Sequence, residues 1–408
     1  MTALSPNVEA AETVAAAGAK PGSTSRVDSI DALRGLVMIL MAIDHVRDFV
    51  GRQVAFRGID VVQVGAPLFL TRWITHYCAP VFVLLAGTGA YFQAARGKSP
   101  QDLSKFLLTR GLWLVFLEIT IIRMGWTFDP FYHFTALQVI WAIGWSMVVL
   151  AALVRLPVRV VGGLGIGMIL VHNLLDGVSL DQFGSWGALW AILHVSKLLT
   201  LAPGHMAFIV YPLIPWIGVM AAGYALGAFV DVDSEKRKRR FGQLGAACLF
   251  AFIVVRGLNV YGDPLPRVHY DSLLYTTLSF LNCTKYPPSL AYLLMTLGPA
   301  LLALGAMEGR DYFGKRVFLV FGRAPLFYYM LHLYFIHAGA IMLHIAWFGY
   351  DRWHAATQNP SGLPEEMIFS LPVVYLFTAV VVALLYPLCR WFGEIKRRRR
   401  DLWWLGYL

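Results

Sequence analysis

The stretch DALRGLVMILMAIDHVRD, residues 31–48, decides the predicted fold and the candidate site. It is apolar enough to enter a bilayer, yet ionisable residues stand at both ends and along one side. On an α-helix of about 100° per residue, Arg47 falls on the far side, whereas most of the other polar residues share one face with two methionines. That face consists of Asp31, Arg34, Met38, Met41, His45 and Asp48. From Arg34 to His45 the helix rises about 16 Å, a little over half of a bilayer core.

The charged face of residues 31–48 is costly in a membrane. An ionisable group at membrane depth costs about 3 kcal/mol unless it faces protein or water. This face therefore predicts that the helix lines a polar cavity. A second interpretation stays open, in which Asp31 and Arg34 lie in the headgroup layer and His45 caps the other end of the helix.

The composition of the whole chain is typical of a multi-pass membrane protein. Of its 408 residues, 58% are hydrophobic and only 14% are charged. Apolar runs of spanning length predict about ten helices, and so an all-α, polytopic transmembrane helical bundle. The predicted spans are 30–50, 68–95, 103–122, 133–154, 157–175, 206–230, 241–260, 288–307, 317–346 and 368–392.

The basic residues indicate how the chain crosses the membrane. Lysines and arginines number 34 against 24 acidic residues, but they cluster in short loops between spans, which argues against nucleic acid as a partner. With a cytoplasmic N-terminus, every basic cluster and the C-terminus are cytoplasmic. The sequence thus predicts an integral protein of the inner or plasma membrane with the lipid bilayer as a partner. Residues 1–25 are predicted to be a disordered cytoplasmic tail, 26–395 the transmembrane domain, and 396–408 a basic and aromatic cytoplasmic tail.

Four polar residues near the predicted outer ends of the first two spans are candidates for catalysis. His45 can take up and return a proton near physiological pH. Asp48, one turn later, or the adjacent Asp44 could orient the ring or stabilise its charge. His76 is near the outer end of the second span, where Pro80 predicts a kink that opens a cavity. Each histidine also has a purely structural interpretation.

Arginines at the predicted cytoplasmic ends are candidates for binding phosphate. Arg34 lies on the first span, with Asp31 one turn before it. Arg323 lies on the ninth span on nearly the same face as His337, whereas His332 faces away from it. Arg323 could equally reach lipid phosphates. The four cysteines are scattered and no metal-ligand spacing or phosphate loop occurs, so the sequence predicts no metal site and no tightly bound cofactor.

Four stretches resemble the transmembrane acyltransferase superfamily, and most closely bacterial membrane proteins of the heparan-alpha-glucosaminide N-acetyltransferase type. They are RVDSIDALRGLVMILMAIDHVRDFV (26–50), THYCAPVFVLLAG (75–87), KYPPSLAYLLMTLG (285–298) and GRAPLFYYMLH (322–332). The resemblance implies that cytoplasmic acyl-CoA, usually acetyl-CoA, enters a membrane cavity and that its acyl group passes to a sugar on the far side. It places the family's opening arginine at Arg34 and the histidine of the O-acyltransferase motif at His45.

The sequence departs from this family pattern at one important position. The lysosomal glucosaminide enzyme has asparagine at the position of His45 and uses a histidine in the following luminal loop. Residues 46–67 contain no histidine here, so the catalytic residue of that enzyme is not carried over.

The resulting prediction is an acyl-CoA-dependent acyltransferase. Arg34, with Arg323, attracts the CoA phosphates, and His45 deprotonates an acceptor hydroxyl or amine of a carbohydrate-type molecule. An acyl-histidine intermediate is a variant of this mechanism. The alternative function is a non-enzymatic carrier or permease that uses the same polar face to move an anion or couple to protons. A homo-oligomer is compatible with either function.

Overall fold

A computed structural model gives the fold and describes residues 27–52, 59–358, 363–399 and 401–407. The predicted disordered tail, 1–25, lies outside the described residues. The helices are α1 (Asp28–Val50), α2 (Val61–Val64), α3 (Ala66–Thr75), α4 (Cys78–Ala95), α5 (Pro100–Leu117), α6 (Arg123–Thr127), α7 (Val139–Leu153), α8 (Val158–Val171), α9 (Gly187–His194), α10 (Leu213–Val230), α11 (Ser234–Leu258), α12 (Leu273–Leu281), α13 (Leu290–Met307), α14 (Lys315–Arg323), α15 (Pro325–Phe348), α16 (Tyr350–Thr357) and α17 (Leu371–Arg398). The strands are β1 (Phe134–Leu137), β2 (Lys197–Ala202) and β3 (His205–Ile209).

The structure confirms an all-α, polytopic bundle. Each predicted span falls largely on helix, and among the described residues seven helical stretches are long and apolar enough to cross a membrane. These are Ala66–Ala95, Val158–Leu175, Leu213–Val230, Ser234–Leu258, Leu290–Met307, Pro325–Phe348 and Leu371–Arg398. The charged α1, the shorter α7, and α5 with the π-helical turn that follows it occupy the remaining predicted spans.

Two predicted spans are wrong at their beginnings because they start in a small sheet. The span 133–154 begins with β1, and the span 206–230 begins with β3. β1 pairs in parallel with β3, and β2 pairs antiparallel with β3. Hydropathy does not separate a short apolar strand from a helical turn, so the sequence did not reveal these strands.

The predicted second span is broken into two helices just before Pro80, where the sequence predicts a kink. α3 ends at Thr75 and α4 begins at Cys78, which puts Pro80 in the first turn of α4. A proline has no N–H and its ring crowds the carbonyl four residues before it, so the carbonyl of His76 has no helical partner. The hydroxyl of Tyr292 donates to that carbonyl at 2.7 Å.

The predicted ninth span is also two helices. α14 ends at Arg323, Ala324 has φ −128° and ψ 48°, and α15 begins at Pro325. The residue before a proline is disfavoured in the helical conformation, which explains the break. The prediction that Arg323 shares a helix with His332 and His337 is therefore wrong.

α1 lies at the centre of the bundle, against α3, α4, α13, α14, α15 and α17. Its apolar residues Val37 and Val46 are buried, and so is Arg47, whose exposed fraction is 4%. The sequence places Arg47 on the side of α1 away from the polar face, and in the structure neighbouring helices cover that side too, so Arg47 is buried in protein.

Glycines occupy the places where pairs of helices cross most closely. A Cβ atom on these glycines would lie within 3 Å of the partner helix, except on Gly298, where it would meet the side chain of Leu249 at 3.0 Å. Small residues let membrane helices approach until their backbones touch, which increases their van der Waals contact. The pairs are Gly35 with Gly322, Gly87 with Gly223, Gly111 with Gly144, Gly165 with Gly218, and Gly245 with Gly298.

We expect Gly35→Ala to destabilise the protein by about 1–3 kcal/mol or more, since overpacking a tight contact has this cost. The new methyl group would meet the backbone of Phe318 on α14, which cannot rotate away as a side chain can. Gly163→Ala on α8 is the matched control, because nothing lies within 4 Å of its added Cβ. Thermal unfolding in detergent measures both variants. A wild-type midpoint for Gly35→Ala would contradict the role of this crossing.

Candidate active site

A cavity of about 580 Å³ opens at the C-terminal end of α1, which is the predicted outer end. We call it the outer cavity; its volume is in the range of small-molecule sites. Its charged lining residues are Asp44, Arg47, Asp48, Arg72, Arg123 and Lys285. Its ring-bearing lining residues include His45, Trp126, Tyr211, Tyr286, His337, His344 and Trp353.

A second cavity of about 240 Å³ lies toward the N-terminal end of α1, the predicted cytoplasmic end. We call it the inner cavity. Most of its wall is apolar and comes from α4, α5 and α7. Its polar lining residues include Arg34, Gln93 and Arg110.

Two rings stand between the cavities. Tyr329 lines the inner cavity and His45 lines the outer cavity. Their ring centroids are 6.1 Å apart in an edge-to-face arrangement. Trp126 packs edge-on against His45 from the outer side, with centroids 4.9 Å apart. A group held at His45 is therefore close to both cavities.

His45 is paired with a histidine on α15. Its Nδ1 lies 2.7 Å from Nε2 of His332, and Nδ1 of His332 lies 3.1 Å from the carbonyl oxygen of Tyr328. A carbonyl oxygen only accepts hydrogen bonds, so we assign the neutral His332 as a donor at Nδ1 and an acceptor at Nε2. His45 must then donate from Nδ1. This leaves the lone pair of His45 on Nε2, in the state that a general base requires.

The predicted contact between Asp48 and His45 is not the one that the structure forms. Nδ1 of His45 faces His332, and Asp48 accepts a hydrogen bond from Nη2 of Arg47 at 2.7 Å. The buried guanidinium draws the carboxylate toward itself, because a buried charge needs a partner.

Asp44 is held by three neighbouring side chains. Its Oδ1 lies 2.7 Å from Nη2 of Arg47 and accepts from Oγ1 of Thr75 at 3.0 Å. Its Oδ2 lies 3.8 Å from Nζ of Lys285. These contacts keep Asp44 fixed at the wall of the outer cavity, one residue before His45.

The other candidate histidine lies elsewhere. His76 is buried, with an exposed fraction of 3%, and is not among the residues that line the outer cavity. Its ring packs edge-on against Tyr292, with centroids 5.4 Å apart, and neither ring nitrogen has a hydrogen-bond partner among the described residues. The structure therefore brings His45, Asp44 and Asp48 to one cavity and leaves His76 outside it.

The three candidates for binding a cofactor lie in different surroundings. Arg34 lines the inner cavity, and its Nη1 donates to Asp31 at 3.1 Å and to the carbonyl of Gly322 at 3.3 Å. Asp31 is buried behind Arg34 and holds its guanidinium. Arg323 is exposed, pairs with Asp28 at 3.3 Å and does not line the inner cavity.

Sequence reasoning missed three residues at the site. Arg110 lines the inner cavity beside Arg34, but in the sequence it is only one of the basic residues of the predicted cytoplasmic clusters. His332 and Lys285 lie inside the family-like stretches 322–332 and 285–298. Their position in these stretches was the one feature of the sequence that could have marked them as site residues.

A known protein family matches much of this chain. A family model described as heparan-alpha-glucosaminide N-acetyltransferase, catalytic, matches residues 26–261, which is more than half of the 408 residues. The match includes α1 with His45 and ends before Lys285 and His332. No curated protein matches the chain. The chain belongs to the family of heparan-alpha-glucosaminide N-acetyltransferase catalytic domains, and is a membrane acetyltransferase of that family.

Proposed function

We propose that this protein moves an acyl group, in the simplest case acetyl, from cytoplasmic acyl-CoA to a carbohydrate-type acceptor on the outer side of the membrane. The observation that carries the proposal is the pair of cavities on either side of His45. Membership of the acetyltransferase family supports the transfer reaction itself. The direction of transfer rests on the predicted topology.

The inner cavity suits the donor. Arg34 and Arg110 offer planar guanidinium groups, which bind phosphate oxygens with paired hydrogen bonds. The apolar wall suits the pantetheine arm. A volume of about 240 Å³ holds only part of CoA, so in this proposal the phosphates stay at the mouth and the thioester reaches toward His45.

The outer cavity suits an acceptor rich in hydroxyl groups. Its charged side chains provide hydrogen-bond donors and acceptors, and its tryptophan and tyrosine rings provide flat apolar surfaces. Lys285 and Asp44 place both signs of charge next to the reacting group. The acceptor's nucleophile would then lie against Nε2 of His45.

In the proposed reaction, Nε2 of His45 takes the proton of the acceptor's amine or hydroxyl as that group attacks the thioester carbonyl. A bond from nitrogen or oxygen to the acyl carbon forms, and the carbon–sulfur bond breaks. CoA leaves as the thiol with the proton that the imidazolium returns. His332 holds the tautomer and Asp44 stabilises the transient positive charge. In the variant with an acyl-histidine intermediate, the same lone pair attacks the thioester first.

The proposal is tested with purified full-length protein and acetyl-CoA labelled in the acetyl group. We expect CoA thiol release coupled to labelling of an acceptor from a panel of amino and neutral sugars. The carrier alternative predicts solute movement across proteoliposomes without thiol release. Failure to bind or consume acyl-CoA with every acceptor would overturn the proposal.

We expect Arg34→Ala to weaken acyl-CoA binding by about 10- to 100-fold, since a hydrogen bond to a charged group contributes about 1.5–3 kcal/mol. Arg34→Lys should restore little if the phosphate contact is bidentate. Calorimetric titration with CoA measures both variants. Arg323→Ala is the comparison, with a smaller effect expected because Arg323 does not line the inner cavity. Unchanged affinity in folded Arg34→Ala protein would rule out this role.

A further inference from the structure

A cluster of three polar residues lies at the C-terminal end of α8, away from both cavities. His172 directly follows α8, Asp176 lies in the next loop and His194 ends α9. One ring nitrogen of each histidine and one carboxylate oxygen all lie within 4.8 Å of one another. Nε2 of His194 is 3.2 Å from Oδ1 of Asp176.

Both imidazoles are buried without the partners that such groups normally have. His172 and His194 are each 1% exposed. Among the described residues, no hydrogen-bond partner is found for either ring nitrogen of His172 or for Nδ1 of His194. Buried polar atoms are nearly always paired, and an unpaired one requires an explanation, such as an ion. A cation would use the lone pair that each neutral imidazole carries.

The carboxylate of the cluster is held in position by a neighbouring amide. Nδ2 of Asn173 donates to Oδ2 of Asp176 at 2.8 Å, which leaves Oδ1 on the side of His194. Oδ1 of Asn173 accepts the backbone N–H of Leu290 at 2.9 Å. Hydrogen bonds of this kind orient metal ligands and are a usual part of metal sites.

We propose that His172, Asp176 and His194 bind a divalent transition-metal ion, for which Zn²⁺ is the best match. Two imidazoles and one carboxylate are a common set of protein ligands for zinc, and water completes the coordination. Calcium and magnesium prefer ligand sets made of oxygen atoms. The sequence predicted no metal site because the ligands are 4 and 18 residues apart, which matches no familiar motif.

The ion has a structural role in this proposal. It joins the end of α8 to α9, and through Asn173 it is linked to Leu290, the first residue of α13. Lys285, in the loop just before α13, lines the outer cavity and pairs with Asp44. The metal would therefore stiffen the segment that positions Lys285, without itself contacting the acceptor.

The test measures metal content and thermal stability of purified full-length protein that carries a tag without histidines. After incubation with ZnCl₂ and desalting, mass spectrometry of the metal should find about one zinc per wild-type chain, the count expected for a single set of three protein ligands. Zinc should also raise the unfolding midpoint above that in EDTA, because a ligand that binds only the folded state stabilises it. His172→Ala and His194→Ala should each reduce retained zinc at least tenfold.

Three further measurements keep the test decisive if an alanine variant does not fold. Asp176→Asn preserves the shape of the side chain and should lower zinc affinity at least tenfold, because an amide replaces the carboxylate ligand. His269→Ala removes an exposed imidazole from the loop before α12 and should retain zinc like the wild type. Co²⁺ should give visible d–d absorption in the wild type that Asp176→Asn alters. The proposal is overturned if wild-type protein retains no zinc and shows no thermal shift, or if Asp176→Asn binds zinc as the wild type does.

Discussion

His45→Ala should lower acetyl transfer by about 100- to 10,000-fold, the usual contribution of general acid–base catalysis, while acyl-CoA still binds. In the neutral pair of His45 and His332, each Nδ1–H donates a hydrogen bond and Nε2 of His332 accepts one. The lone pair on Nε2 of His45 therefore remains to take a proton, and His45 lines the outer cavity. Arg34, the proposed phosphate contact, lies about 16 Å away along α1, so the donor should bind normally. Turnover, CoA affinity and the unfolding midpoint together check this prediction.

Two controls distinguish proton transfer from packing in that experiment. His76→Ala removes another buried histidine near the predicted outer end of its span, but His76 does not line the outer cavity. This variant should therefore lose less activity than His45→Ala. Free imidazole should restore part of the activity of His45→Ala, since the vacated space opens to the outer cavity. Near-normal turnover in His45→Ala with a severe loss in His76→Ala would transfer the role to His76. Normal turnover in both variants would exclude catalysis by either histidine.

The helices and the polar face of α1 were predictable because both are properties of short segments. Hydropathy over about 20 residues located the spans, and a charged face on an apolar helix predicted the cavity that His45 lines. The break before Pro325 was predictable in principle from the conformational restriction that proline places on Ala324. The strands β1 and β3 were not, because their pairing joins residues 134–137 to residues 206–209.

Arg47 shows why the rest of the site could not be derived from one helix. A helical projection assumes that one side faces the protein and the other faces lipid. α1 is instead enclosed by other helices, so Arg47 is buried and binds Asp44 and Asp48. His332 is 287 residues from His45, and no periodicity within either helix reveals that their rings meet. Contacts between helices depend on the packing angles and registers of the whole bundle.

His332→Ala should lower transfer by about 100-fold or more, although His332 lines neither cavity. Without Nε2 of His332 to accept its Nδ1 proton, His45 is free to rotate and to take the tautomer that carries the proton on Nε2. Loss of the group that fixes the tautomer of a catalytic histidine costs about 10,000-fold in a serine protease, so the effect is expected to be large. The loss should appear in kcat and not in CoA affinity, which separates positioning from a defect in donor binding.

Two further variants test whether His332 acts through His45. His332→Gln keeps most of the volume and offers an amide oxygen to Nδ1 of His45, so it should retain more activity than His332→Ala at a similar unfolding midpoint. The double variant His45→Ala, His332→Ala should be no slower than His45→Ala alone, because a positioning residue has no effect once the group that it positions is gone. Losses that multiply in the double variant would show that His332 takes part independently, for example as the base itself. Wild-type turnover in His332→Ala would contradict the prediction that the hydrogen bond to His332 keeps the lone pair of His45 on Nε2.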